Sequence, residues 1–215
     1  MKLQFVTTSL SDQTDPRPKT NAMRFEAKPG VVWRIDGRNN LGIAGNMGMY
    51  RSDISHTIVN NLVNNVYFLM KGMGDNMQFT SSDVLSYPRD YKGTSIAGSA
   101  QWNTLSRGFS NLIELNFSAN NETATDGGAA YTFKGGDYSA RQIALYDRFS
   151  FKTSDTFWHQ LMMRAAYISD DGYWYDQRRV VDTQHANRVY YEVLNKSKVQ
   201  NSTYAQALLE YRLDK

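Results

Sequence analysis

The feature that most constrains this chain is a recurring stretch of about ten residues in which apolar and small or polar side chains alternate. Stretches end in Asn, Gly, Asp or Ser. In Leu41–Ile54, Leu41, Ile43, Met47 and Met49 fall on one face with Gly45, while Gly42, Ala44, Asn46, Gly48 and Tyr50 fall on the other. In Phe109–Ala119, Ile113, Leu115 and Phe117 oppose Glu114, Asn116 and Ser118. A period of two is the signature of a strand with two different environments. Few windows sustain a period of 3.6, and helix formers are diluted by Thr, Asn, Ser, Gly and Tyr.

Nine strand runs follow: Lys2–Leu10, Met23–Ile35, Leu41–Ile54, Thr94–Leu105, Phe109–Ala119, Tyr138–Phe151, Phe157–Ser169, Arg188–Leu194 and Thr203–Leu213. In Phe157–Ser169, His159, Leu161, Met163, Ala165 and Tyr167 share one side. Pro29-Gly30 inside the second run removes a ladder donor and predicts a bulge or an edge position. One local alternative is helical: Ile54, Ile58, Leu62, Val66 and Met70 repeat every four residues behind a cap at Ser52 or Asp53.

Connection lengths alternate in this reading. Asp36–Asn40, Ser106–Gly108, Lys152–Thr156 and Asn195–Ser202 are short; Ser11–Ala22, Ser55–Gly93, Asn120–Asp137 and Asp170–Asn187 are longer. Such parity puts short turns at one rim and long loops at the other, as in outer-membrane barrels. A Greek-key sandwich has no reason to keep it. The expected fold is therefore all-β: an antiparallel up-and-down meander forming a transmembrane β-barrel or partial barrel.

Composition is compatible. The 215 residues are 41% hydrophobic, which excludes a disordered chain, and 14 Tyr, 10 Phe and 4 Trp suit aromatic girdles. No window holds about 18 consecutive apolar residues, so no transmembrane helix is expected. The absence of Cys excludes disulfides, thiolate metal sites and a Cys nucleophile. A net charge of +3 is too small to point to nucleic acid.

The segment Val31-Val32-Trp33-Arg34-Ile35, the Asp36–Asn40 turn and Leu41-Gly42-Ile43-Ala44-Gly45, running on through Tyr50-Arg51-Ser52-Asp53-Ile54-Ser55, resembles the outer-membrane β-barrel domains of unknown function found in Bacteroidota-type bacteria. Tyr87-Pro88-Arg89-Asp90-Tyr91-Lys92-Gly93 fits the same picture. The resemblance implies a bacterial outer-membrane location and lipid as a partner. It brings no catalytic or binding residues.

Residues 1–215 are expected to be one barrel segment. Nine strands, the lack of an export signal at Met1–Thr8 and the charged end at Lys215 suggest part of a longer chain.

Chemistry-bearing motifs are sparse. His56, His159 and His185 lie far apart without metal spacing. Asp170-Asp171 point to opposite faces of a strand, and with Asp176 they read as a solvated loop tip. Gly127-Gly128 and Gly135-Gly136 are turn glycines, not phosphate loops. No G-x-S-x-G elbow occurs. Neither an enzyme nor a cofactor is expected. Tyr173, Trp174 and Tyr175, at a loop base, are the exposed feature of most interest. They either stack on a glycan or belong to an interfacial girdle. Asn46, Glu114, Asn116 and Gln206 are expected to face a water-filled lumen, in a structural, pore or transport-related role. An envelope protein or a glycan is the expected partner, and the rival architecture is a soluble or cell-surface β-sandwich that binds carbohydrate.

Overall fold

The computed structural model describes residues 1–13, 17–57, 66–72, 75–80, 88–127, 132–154, 157–184 and 188–214. Among these residues eleven strands are formed: β1 (Lys2–Ser11), β2 (Arg17–Lys28), β3 (Gly30–Arg34), β4 (Asn39–Thr57), β5 (Val66–Gly72), β6 (Asp75–Thr80), β7 (Arg89–Ser106), β8 (Phe109–Gly127), β9 (Thr132–Lys152), β10 (Trp158–Asp182) and β11 (Arg188–Asp214). Nine of them build one antiparallel meander, ordered β1-β2-β4-β7-β8-β9-β10-β11 with β3 also on β4. β5 and β6 form a separate hairpin. The sheet is open: β1 and β11 are not paired with one another.

Pro29 separates β2 from β3 without changing register. Ala27 faces Met47 and Val31 faces Ile43, so no residue is inserted. The Gly45 amide donates to the Pro29 carbonyl at 2.9 Å, and only the bond that Pro29 itself cannot donate is missing. β1 reaches only as far as Lys28, so β3 is an edge segment. Of the two expectations for Pro29, the edge is realised and the bulge is not.

The alternation of the sequence becomes two faces. Across the ladder, Gly45, Gly98, Phe117, Ile143, Tyr167 and Ala205 occupy one rung. All belong to a single apolar face with Phe25, Met49, Trp102, Leu115, Leu161 and Leu209. Ile113, Leu115 and Phe117 remain 42%, 52% and 46% exposed. Among the described residues the buried hydrophobic side chains are Phe133 and Tyr175. Among the described residues no second sheet packs on the apolar face, whose side chains stay exposed, so the sandwich alternative is not formed there. The chain exposes 14568 Å², whereas a soluble monomer of this mass exposes about 10,000 Å².

The apolar face has a tilted upper edge. In β4 it ends at Met49. In β10 it ends at Tyr167, which lies on the rung of Gly45. The edge therefore falls by about one residue per strand; with ~3.3 Å per residue and ~4.8 Å between strands, a level edge requires strands tilted by ~35°, within the range of membrane barrels. In β8 the face runs from Phe109 to Ala119, a length of ~33 Å along the strand. Tilted, this spans a band of about 25 Å. Asp147 is the charge within it, near the turn rim, where the Asn111 amide donates to its carboxylate at 2.7 Å.

Several expected boundaries are corrected. Arg188–Leu194 and Thr203–Leu213 are not a hairpin around Asn195–Ser202; they are one strand, β11, paired with β10 throughout. Shifts at Gly172/Tyr173 and Asp176/Gln177 absorb the extra residues of β11. The polar residues of 195–202 look like a turn but lie beyond the apolar face, where both sides of a strand can be polar. For the same reason most of Asn120–Asp137 and Asp170–Asn187 is strand. β2 starts at Arg17, β9 at Thr132 and β11 at Arg188, so the strands take up most of those expected loops, while the β5–β6 hairpin falls between β4 and β7. The alternation of short and long connections is therefore not a property of the molecule. What distinguishes the rims is that strands run well past the apolar face at one of them.

The helical alternative over Ile54–Met70 is not realised at its ends: Ile54 is in β4 and Val66–Met70 in β5. Residues 58–65 lie outside those described.

Candidate functional site at the polar rim

Above the last apolar rung, β9, β10 and β11 carry a cluster of lysines, aspartates and tyrosines on that same face. Alternation places Tyr173 and Tyr175 on it with Asp137, Asp171, Lys196 and Lys198. The bulge at Gly172/Tyr173 brings Tyr173 opposite Lys198. The three aromatics foreseen as a loop base thus stand within a strand, and they are divided: Trp174 points to the other face. Tyr175 is 5% exposed.

The contacts explain that burial. The Lys134 ammonium lies 4.5 Å from the centroid of the Tyr175 ring. Lys196 lies 4.3 Å from the Tyr173 ring centroid and 5.3 Å from that of Tyr175. The Tyr175 hydroxyl donates to Asp137, whose carboxylate also takes Lys196 at 3.0 Å. Asp171 accepts from Lys198 at 2.8 Å and from the Asn201 amide at 2.7 Å. Lysine held over an aromatic ring is stabilised by the ring quadrupole.

Titration follows these contacts. Burial works against the Asp137 carboxylate, yet the Tyr175 hydroxyl and Lys196 hold its pKa below the usual range. Lys198 and Asn201 depress Asp171. Asp137 raises Lys196, and Asp171 raises Lys198.

The polar face carries a second set of contacts. Asp126 is 1% exposed and takes both Arg89 nitrogens, Nε at 2.5 Å and Nη2 at 2.8 Å. Gly135, the extra residue of a β9 bulge, makes room: a Cβ there would sit 2.8 Å from the Asp126 carboxylate. Asn46, Glu114, Asn116 and Gln206 all lie on this polar face, as expected. A groove of about 690 Å³ is lined by Glu114, Asn116, Gln142, Tyr146, Arg164 and Gln206 among others.

At the turn rim the apolar face ends in aromatics that the sequence reading did not group. Phe109 and Phe149 meet edge-on at 5.1 Å, and Phe151 stacks on His159 at 4.8 Å. His159 bonds Thr153 at 2.6 Å and the Tyr211 hydroxyl at 2.5 Å. The signal was register: these residues are scattered in sequence and meet only across β8–β11.

His56 lies in β4, remote from His159, and His185 falls outside the described residues. Asp170 and Asp171 point to opposite faces, as alternation requires. Among the described residues no three His, Asp or Glu side chains are grouped to hold a metal.

The fold is thus an open antiparallel meander with one bare apolar face and one polar face. The chain belongs to a family of unknown function (DUF6850), whose model matches residues 1–215. No curated protein matches it. Among solved structures, the open form of the ferric-catecholate import receptor Fiu from E. coli K12 is similar, with a TM-score of 0.43 and 10% identity over 92% of this chain and 32% of the receptor chain. The chain spans about a third of that receptor's length.

Proposed function

We propose that this chain forms part of the wall of a transmembrane β-barrel in the bacterial outer membrane, with a structural, pore or transport-related role. One observation carries the reading. The apolar face is exposed, level-edged under a barrel-like tilt and about as tall as a bilayer core. In water, large apolar faces of this kind are covered. In lipid they need no cover, but every backbone N–H and C=O does. The unpaired edges of β1 and β11 therefore take further strands of a larger barrel, within the same reading. Aromatics at the turn rim suit a membrane interface. The polar face, with its 690 Å³ groove, lines the lumen. An envelope protein or a glycan remains the proposed partner on the water side, with half-buried Tyr173 the more accessible of the two rim tyrosines.

The test is insertion. Purified in detergent and mixed with vesicles containing brominated acyl chains, the protein should keep its β-sheet signal, and its tryptophan emission should be quenched. A protein that unfolds cooperatively as a detergent-free soluble monomer would overturn the reading.

A further inference from the structure

The polar residues bordering the apolar face are not uniform along the sheet. Above β4 and β7 they form a closed quartet: Arg51 reaches Asp53 at 3.1 Å and Asp90 at 3.0 Å, and Lys92 reaches Asp90 at 3.4 Å. Two cations meet two carboxylates there. Above β9, β10 and β11 the same face carries Arg141, Lys134, Lys196 and Lys198 against Asp137 and Asp171. Four cations meet two carboxylates, and the excess is two positive charges.

Position matters as much as charge. Arg141 is exposed and two rungs above Ile143, the last apolar residue of β9 on this face. It feels the Asp171 carboxylate, which Lys198 bonds directly. Arg141 faces Ser169, one same-face position below Asp171, so Arg141 and the Lys198 ammonium flank the Asp171 carboxylate above the rung of Phe117, Ile143, Tyr167 and Ala205. Asp137 and Asp171 fix the lysine stems without cancelling the local charge.

We infer that this patch holds the phosphate of a lipid headgroup, with the lipid's acyl chains descending over Ile143 and Leu145 of β9 and over Tyr167, Ala165 and Met163 of β10. A free anion would be drawn by the charge but has no use for the apolar column beneath it. A lipid phosphate at the border of the hydrocarbon uses both. The inference rests on the barrel-wall reading. It makes one stretch of the wall, β9–β11, selective for anionic lipid, while the neutral β4–β7 stretch is not.

The experiment compares nanodiscs of phosphatidylcholine with and without phosphatidylglycerol, counting co-purified phosphatidylglycerol by native mass spectrometry. Arg141→Gln with Lys198→Gln is set against the control Arg51→Gln with Lys92→Gln. Near an anionic surface each cation changes binding by roughly fivefold, so the first pair should weaken phosphatidylglycerol retention about 25-fold. The control should retain it as the unaltered protein does. Equal retention by all three proteins, or equal loss in the control, overturns the inference. So does competition by inorganic phosphate at the concentration at which the lipid binds, which identifies a free-anion site. Failure to enter vesicles of either composition overturns the barrel-wall reading and this inference with it. Entry into both without lipid preference overturns the inference alone.

Discussion

Tyr50 of β4 lies across Gly93 of β7, so closely that a Cβ on Gly93 would overlap the tyrosine ring. The Tyr50 hydroxyl reaches one strand further and donates to Glu122 of β8. Burial pushes the Glu122 carboxyl up, and the Tyr50 hydroxyl gives this part-buried acid a hydrogen-bond donor. Gly93→Ala must displace the ring and with it that bond. Overpacking of this kind costs about 1–3 kcal/mol. Tyr50→Phe keeps the ring and loses only the bond, with a cost of about 1 kcal/mol. Urea unfolding in detergent should rank the two variants in that order; the reverse ranking would show that the ring is free to move.

Leu115 and Glu114 are adjacent in β8 and belong to opposite worlds. Leu115, with Leu145 across the ladder, is mid-height on the apolar face; Glu114 lines the groove of the polar face. Leu115→Arg places a charge where the proposed lipid lies and should cost about 2–4 kcal/mol. Glu114→Gln should leave insertion unchanged. Folding into vesicles, read by heat-modifiable gel mobility, separates the two. An effect confined to Glu114→Gln would mean the faces are assigned the wrong way round.

How much of this was legible in the sequence depends on what each signal measures. Alternation in Leu41–Ile54 and Phe109–Ala119 reports two different environments directly, so the faces emerged correctly. Strand ends did not, because composition stops marking them once a strand leaves the apolar zone. Asn195–Ser202 is polar since water lies on both sides of it, not because the chain turns there. Tyr173 and Tyr175 were visible as neighbours. Their lysines were not, for Lys134, Lys196 and Lys198 come from other strands and a bulge decides which of the β11 lysines faces Tyr173. The aromatic border from Phe109 to Tyr211 likewise exists only through register.

The rim cluster has a defined pH window. Asp137 and Asp171 have depressed pKa values, so their contribution to stability is present above the unfolded carboxylate range and lost as pH falls through their lower folded values. Lys196 and Lys198 are raised, so theirs is present below the ordinary lysine range and lost as pH rises through their higher folded values. Amide exchange of β10 and β11 near Tyr173 should therefore be slowest between these limits, after correction for intrinsic rates. Asp171→Asn should remove part of the acid limb and leave the alkaline loss at Lys196 in place. An acid limb unchanged by that substitution would show that Asp171 does not anchor the strand pair.

The ion pair of Arg89 and Asp126 tests whether the far ends of the long strands are built or merely extended. Asp126 is buried almost completely, and Arg89 is pushed strongly upward by its hydrogen bonds to that carboxylate, against the opposing effect of burial. Arg89→Met leaves the carboxylate buried and unpaired. Breaking one side of such a pair costs about 3–5 kcal/mol, whereas replacing both charges with apolar groups is often neutral. The double variant Arg89→Met with Asp126→Leu should therefore recover most of the loss, even though it removes the bond altogether. Proteolysis of the segment around Gly127 reports the result locally: rapid cleavage in the single variant, slow cleavage in the unaltered and double variants. If the single variant resists cleavage as well, Asp126 has found water, and the β8–β9 end is more open than its bulge at Gly135 implies.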